Sequence, residues 1–112
     1  MTAFPAAADY SYILSGNGKM NYTSSSNKLE GWDYKNGDHI AIHYAYTDTS
    51  CGTTGSACAP SSENGLVRIA STSAGAYEDW TLSPGTKKYV LLKICNEDTG
   101  PDTCSNWKRS AA

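Results

Sequence analysis

The stretch that most limits what this chain can fold into runs Trp32-Asp33-Tyr34-Lys35-Asn36-Gly37-Asp38, then His39-Ile40-Ala41-Ile42-His43-Tyr44-Ala45-Tyr46. Asn36-Gly37 is a strong short-range hairpin pattern, because both residues tolerate the positive φ of a type I′ turn. After it the chain alternates. Ile40, Ile42, Tyr44 and Tyr46 share one face, and His39, Ala41, His43 and Ala45 share the other. This predicts one long strand, half buried, on which the other strands pack.

The rest of the chain reads as further short strands between turns. Tyr10 to Leu14, Lys19 to Thr23, Lys28 to Tyr34, Gly65 to Ala70, Ala76 to Leu82, Lys88 to Cys95 and Cys104 to Arg109 alternate or carry β-branched and aromatic residues. Met20 and Tyr22 share a face, Leu29 points to the core, and Trp80 and Leu82 point inward with Val90, Leu92 and Ile94. Trp32 is either a core plug or an exposed aromatic. Ser83-Pro84-Gly85-Thr86 has Pro and Gly at the central positions of a type II turn. No stretch shows helical spacing with caps. The expected fold is all-β: an antiparallel β-sandwich of about seven to eight short strands with Greek-key, immunoglobulin-like connectivity. A small closed barrel is the alternative.

With 112 residues the chain makes one domain, residues 9–112, preceded by a flexible arm over residues 1–8 that contains Phe4 and Pro5. Ala6-Ala7-Ala8 before Asp9 is similar to the small-residue end of a secretory cleavage region; the alternative is a plain flexible segment. Nine Lys and Arg against eleven Asp and Glu give a net charge of −2, with no basic run. Nucleic acid is therefore not an expected partner. No apolar stretch is long enough for a membrane-spanning helix.

Four cysteines in a small polar chain predict disulfides and an oxidising compartment. Three pairings are possible. The two local ones, Cys51 with Cys58 and Cys95 with Cys104, are expected, because each pair brackets a loop rich in Gly, Ser, Thr, Pro or Asp. Each closure would contribute about 2.5 kcal/mol in the chain-entropy model. A zinc site needs closer cysteine pairs than these. The first pair also staples the long segment from Asp48 to Asn64, a length uncommon in a small domain unless it is functional or stapled.

Several pieces resemble a group of small secreted proteins of actinobacteria such as streptomycetes. They are Asp33-x-Lys35-x-Gly37, the aromatic strand through Tyr44 and Tyr46, Leu82-x-x-Gly85 ahead of a strand ending in Cys95, and Cys104-Ser105-x-Trp107 near an alanine terminus. Where relatives often have Leu-Pro-Glu-Gly, this chain has Leu-Ser-Pro-Gly, which keeps the turn and moves the proline. The resemblance implies a secreted, disulfide-stapled β-sandwich. Some such proteins are adaptors in larger extracellular toxin assemblies.

No residue set here forms a catalytic motif. His39 and His43 share a strand face but stand about 13 Å apart at roughly 3.3 Å per residue, too far for one ion. Glu78 and Asp79 point to opposite faces. Glu97, Asp98 and Asp102 lie in one loop whose carboxylates suit calcium in principle, but the spacing is not EF-hand-like and a solvated turn is the favoured reading. No G-x-S-x-G elbow is present. Asn21-Tyr22-Thr23 matches a glycosylation acceptor, relevant only in a eukaryotic source.

The aromatic content carries more information. Eight Tyr and three Trp exceed what a small core needs. Tyr77 and Tyr89 are expected on an outer face, where with Trp32 or Trp107 they would form a flat patch for a sugar ring or a protein edge. Cross-strand stacking that merely stabilises the sheet is the alternative. The expected function is a secreted, non-catalytic binding module without cofactor, serving as a protein–protein adaptor or accessory subunit through the patch or the arm. A lectin-like carbohydrate-binding module and a hydrolase inhibitor presenting the Cys51–Cys58 loop are the alternatives. An enzyme is the least favoured class.

Overall fold

Period-two alternation of apolar residues produces the strands, and burial of their apolar faces against one another produces the sandwich. The computed structural model describes residues 10–50, 52–53, 56–97 and 102–112. In chain order the strands are β1 (Tyr10–Leu14), β2 (Gly18–Thr23), β3 (Lys28–Asp33), β4 (His39–Thr47), β5 (Gly52–Thr53), β6 (Ser56–Ala57), β7 (Gly65–Arg68), β8 (Tyr77–Thr81), β9 (Tyr89–Glu97), β10 (Thr103–Cys104) and β11 (Lys108–Ala111). No helix occurs among the described residues.

One sheet has the order β1-β2-β3-β8. The other has the order β10-β9-β4-β7, with β11 also on β9. All pairings are antiparallel. The connection from β3 to β4 crosses between sheets, and so does that from β8 to β9. Consequently β3 pairs with β8 while β4 pairs with β9, an interlocked connectivity of the Greek-key kind. The two sheets hold nine strands rather than eight, because the last stretch breaks at Ser105–Trp107. Its halves, β10 and β11, lie end to end along β9. β5 and β6 form a separate two-stranded ribbon in the segment that follows β4.

The core lies where the alternation placed it. Leu14, Met20, Tyr22 and Leu29 from one sheet meet Ile40, Ile42, Val90, Leu92 and Ile94 from the other, with Ile69 and Leu82 from the connections. Tyr44, Tyr46 and Trp80 pack against this cluster. Close approach also needs glycine. A Cβ on Gly18 would stand 2.6 Å from the Trp32 carbonyl oxygen and 2.7 Å from Ile40 Cδ1.

Two turns differ from the sequence expectation. Asn36-Gly37 does not close a hairpin: β3 and β4 lie in different sheets, and Asn36 keeps a negative φ while Gly37 has φ +100°. The pair instead serves the inter-sheet step. Gly37 N donates to Thr72 O at 2.9 Å, and Asn36 Oδ1 accepts from Ala74 N at 2.7 Å. Local turn preference yields here to the edge of β3 already taken by β8. The second turn sits one residue later than expected, at Pro84–Lys87, with Gly85 at φ +60° and Lys87 N donating to Pro84 O.

Cys95 and Cys104 are bonded as expected, at a register-paired position of β9 and β10. Cys58 is disulfide-bonded, and Cys51 lies outside the described residues. The expected arm, residues 1–8, lies outside them as well, as does Asp98.

At the end of β3 the alternation carries Asp33 inward, where it is fully buried. Its Oδ1 accepts from Lys35 N at 2.9 Å, and its Oδ2 has no hydrogen-bond partner among the described residues. Burial holds this carboxyl above the usual carboxylate range; the Lys35 N–H opposes that, Asp38 adds to it, and His39 opposes it. The native state therefore grips the proton more tightly than the unfolded chain. Stability falls as pH rises from about 4 through the raised native value.

Two expected outcomes follow from this packing. Asp33→Asn flattens that pH dependence and raises stability at pH 7 by about 1 kcal/mol, read by urea unfolding between pH 3.5 and 7. Gly18→Ala destabilises by about 2 kcal/mol in the same assay, because its nearest obstruction is backbone.

Candidate functional site

The strand pairing decides which exposed residues meet. In the sheet β1-β2-β3-β8 the inward positions are Leu14, Met20, Tyr22, Leu29 and Trp80. Their neighbours in the chain therefore face solvent. Register then aligns these outward residues in rows across all four strands. One row is Ile13, Lys19, Trp32, Tyr77, and the next is Ser11, Asn21, Glu30, Asp79.

The first row is an uncovered aromatic and aliphatic strip. Ile13 is 57% exposed and Tyr77 is 43% exposed, with Trp32 half-buried between them. The Trp32 and Tyr77 rings lie 5.2 Å apart, tilted by 49°. Lys19 Nζ sits 5.1 Å from the Trp32 ring centroid. Trp32 is therefore held on both flanks by its register neighbours.

The second row is a hydrogen-bonded polar ladder. Ser11 Oγ donates to Asn21 Oδ1, and Asn21 Nδ2 donates to Glu30 Oε1 at 3.1 Å. The Tyr77 hydroxyl lies 2.7 Å from Glu30 Oε2 and 2.8 Å from Asp79 Oδ2. Lys28 Nζ stands 3.5 Å from Asp79 Oδ2. A phenol has one proton, so the two carboxylates share it. Both favour the neutral phenol, Glu30 most strongly, and its pKa is pushed far above the ordinary tyrosine value.

The four aromatics singled out from the sequence do not form one patch. Trp32 and Tyr77 are adjacent on this face. Tyr89 lies in β9 of the other sheet and Trp107 in the break between β10 and β11, and each has a cation on its ring: Arg109 Cζ at 4.7 Å from Tyr89 and Lys93 Nζ at 5.1 Å from Trp107. That second outer face is partly buried, with Leu66 of β7 38% exposed on it. Ala41, Ala45, Leu91 and Cys95 point away from the core and are nevertheless buried. Ala57 N, in β6, donates to Trp107 O at 3.0 Å. A recess of about 460 Å³ remains where residues 58–64 pass Tyr46 and Leu91. Its polar wall is mostly hydroxyls, and Asn64 Oδ1 is engaged by Tyr46 N at 2.8 Å.

The histidines are separate, as their spacing requires. His39 Nδ1 lies 2.9 Å from Ile69 O, and His43 Nδ1 lies 2.6 Å from Glu63 Oε1. Among the described residues no three His, Cys, Asp or Glu side chains are grouped to hold a metal ion. Glu97 is paired with Arg68, Nε to Oε1 at 2.5 Å and Nη2 to Oε2 at 2.8 Å. The expected arm residues Phe4 and Pro5 lie outside the described residues, as do parts of the loop proposed for an inhibitor.

The sequence reading did not identify Glu30, Asp79, Asn21, Lys19 and Ile13 as members of the site. Glu30 and Asp79 are register partners far apart in sequence, and only strand order joins them. Trp32 was within reach: with Leu29 inward, a position three residues on must face outward. Comparison with protein-family models, with curated proteins and with solved structures gave no match.

The shared phenol proton has a measurable consequence. In a spectrophotometric tyrosine titration of the folded protein, the Tyr77 phenol stays protonated well above pH 10. The Glu30→Gln, Asp79→Asn double variant brings it back toward the ordinary tyrosine range. The assignment fails if Tyr77→Phe removes an ordinarily titrating group instead.

Proposed function

We propose that this chain is a secreted, non-catalytic binding module whose contact surface is the outer face of the sheet β1-β2-β3-β8. One observation carries the proposal. Ile13, Lys19, Trp32 and Tyr77 form an uncovered row in register beside a locked polar ladder, whereas on the outer face of the opposite sheet Ala41, Ala45, Leu91 and Cys95 are buried and Leu66 is the exposed apolar residue. Scattered exposed apolar residues are ordinary on a protein surface, but aromatic residues aligned with fixed polar partners suit recognition.

Secretion is supported by the Cys95–Cys104 bridge and the bonded Cys58. It is also supported by the resemblance to small secreted actinobacterial proteins in turns, disulfide and terminal tryptophan. A binding role is favoured over catalysis because Glu30 and Asp79 stand on an open sheet face with the Tyr77 hydroxyl between them. Such a face offers no enclosed pocket to hold a reacting bond in a fixed orientation between them. An adaptor contacting another secreted protein and a module contacting a glycan would both use this surface.

Hydroxyl-radical footprinting in the presence of the concentrated extracellular fraction of the native source locates the contact without knowledge of the ligand. Trp32 and Tyr77 are expected to be protected several-fold, with Tyr89 and Trp107 unchanged. Protection at Tyr89 and Trp107 instead, or at none of the four, overturns the proposal.

A further inference from the structure

We infer that the ligand of this face is a neutral polysaccharide, its chain lying across the strands along the row Ile13, Lys19, Trp32, Tyr77. The inference rests on the contact surface proposed above and adds the chemistry of its occupant. Three properties of the face select that chemistry.

The first is size. Four strands at about 4.8 Å spacing and five residues at about 3.3 Å give a face of roughly 14 Å by 17 Å, or about 240 Å² in projection. An extended glycan a few sugars long fits a strip of this length.

The second is charge. Lys19 and Lys28 are balanced on the same face by Glu30 and Asp79. The two anions share one row and a cation stands in the row on either side, Lys19 before and Lys28 after, so a uniformly anionic or cationic polymer would meet as much repulsion as attraction. A neutral polyol donates hydroxyl protons to the carboxylates and accepts from the ammonium groups.

The third is preorganisation. A sugar ring presents C–H groups on its faces and hydroxyls around its edge. The Trp32 and Tyr77 rings supply the apolar contact, while the carboxylates of Glu30 and Asp79 lie beside them at positions fixed by Asn21, Lys28 and the Tyr77 hydroxyl. Each carboxylate has about four acceptor positions. Those not used inside the ladder remain for vicinal hydroxyls, and little side-chain freedom is left to lose on binding.

The test is depletion of the intact protein from solution by insoluble cellulose, xylan, mannan, chitin and starch, with polygalacturonate as an anionic control. The expected result is binding to at least one neutral polymer. Retention falls at least tenfold for Trp32→Ala, several-fold for Tyr77→Phe and Glu30→Gln, and not at all for Trp107→Ala. The two conservative variants keep the test valid if Trp32→Ala fails to fold. Binding to no neutral polymer, binding to polygalacturonate alone, or full retention by Tyr77→Phe and Glu30→Gln overturns the inference. If no polymer binds but a protein fraction still protects Trp32 and Tyr77 from hydroxyl radicals, the polysaccharide is wrong and the contact surface stands. Retention lost in Trp107→Ala but kept in Trp32→Ala overturns both.

Discussion

Nine register pairs between β4 and β9, from His39 opposite Glu97 to Thr47 opposite Tyr89, form the ladder on which the remaining structure depends. Both strands are flanked on their far edges, β4 by β7 and β9 by β10 and β11. Their inward side chains supply five members of the core. Their outward side chains include Ala41, Ala45, Leu91 and Cys95, all buried. Buried outward positions are unusual in an antiparallel sandwich, where one face commonly meets water. The outward residues between them, His39, His43, Tyr89 and Lys93, are half-buried. The ribbon β5-β6 in the segment after β4 lies against β11 and bonds to Trp107 O.

This arrangement assigns opposite roles to the two outer faces. On the β4–β9 side, polar and charged residues close the surface, with Arg109 over Tyr89 and Lys93 over Trp107. Each such exposed contact is worth about 0.5–1 kcal/mol, enough to hold a ring in place. On the outer face of β1-β2-β3-β8, Trp32 is flanked in this way, by Lys19. Tyr77 is held by its hydroxyl, through Glu30 and Asp79, and its ring stays largely exposed. The same residue types are thus structural on one side and available on the other.

Strand identity was legible in the sequence because apolar alternation acts locally. The inward sets Ile40, Ile42, Tyr44 and Tyr46, and Val90, Leu92 and Ile94, came from spacing alone and match the core. Properties that depend on strand order were not legible. Asn36-Gly37 has every local mark of a hairpin, yet whether the flanking strands pair is decided by β8 and β9, which lie far downstream. Tyr89 and Trp107 were grouped with Trp32 and Tyr77 because all four face outward. Facing outward from different sheets puts them on opposite sides of the molecule. The Asp33 carboxyl was invisible for another reason: hydrophobic pattern rules exclude an acid from an inward position, and here backbone parity outweighs that preference.

A flat aromatic row on a sheet invites association of one copy with another, so its tolerance needs an explanation. The explanation lies in the adjacent row. Any apolar surface laid on Trp32 and Tyr77 must also strip water from Glu30, Asp79 and Lys28, whose mutual bonds are weak while exposed and cannot replace that solvation. The proposed ligand, which brings its own hydroxyls, would lower that cost by replacing part of the lost water hydrogen bonding. The polar ladder therefore acts on both counts at once. It would discourage self-association of an exposed aromatic strip and favour the proposed partner, whose apolar faces are rimmed with hydrogen-bonding groups.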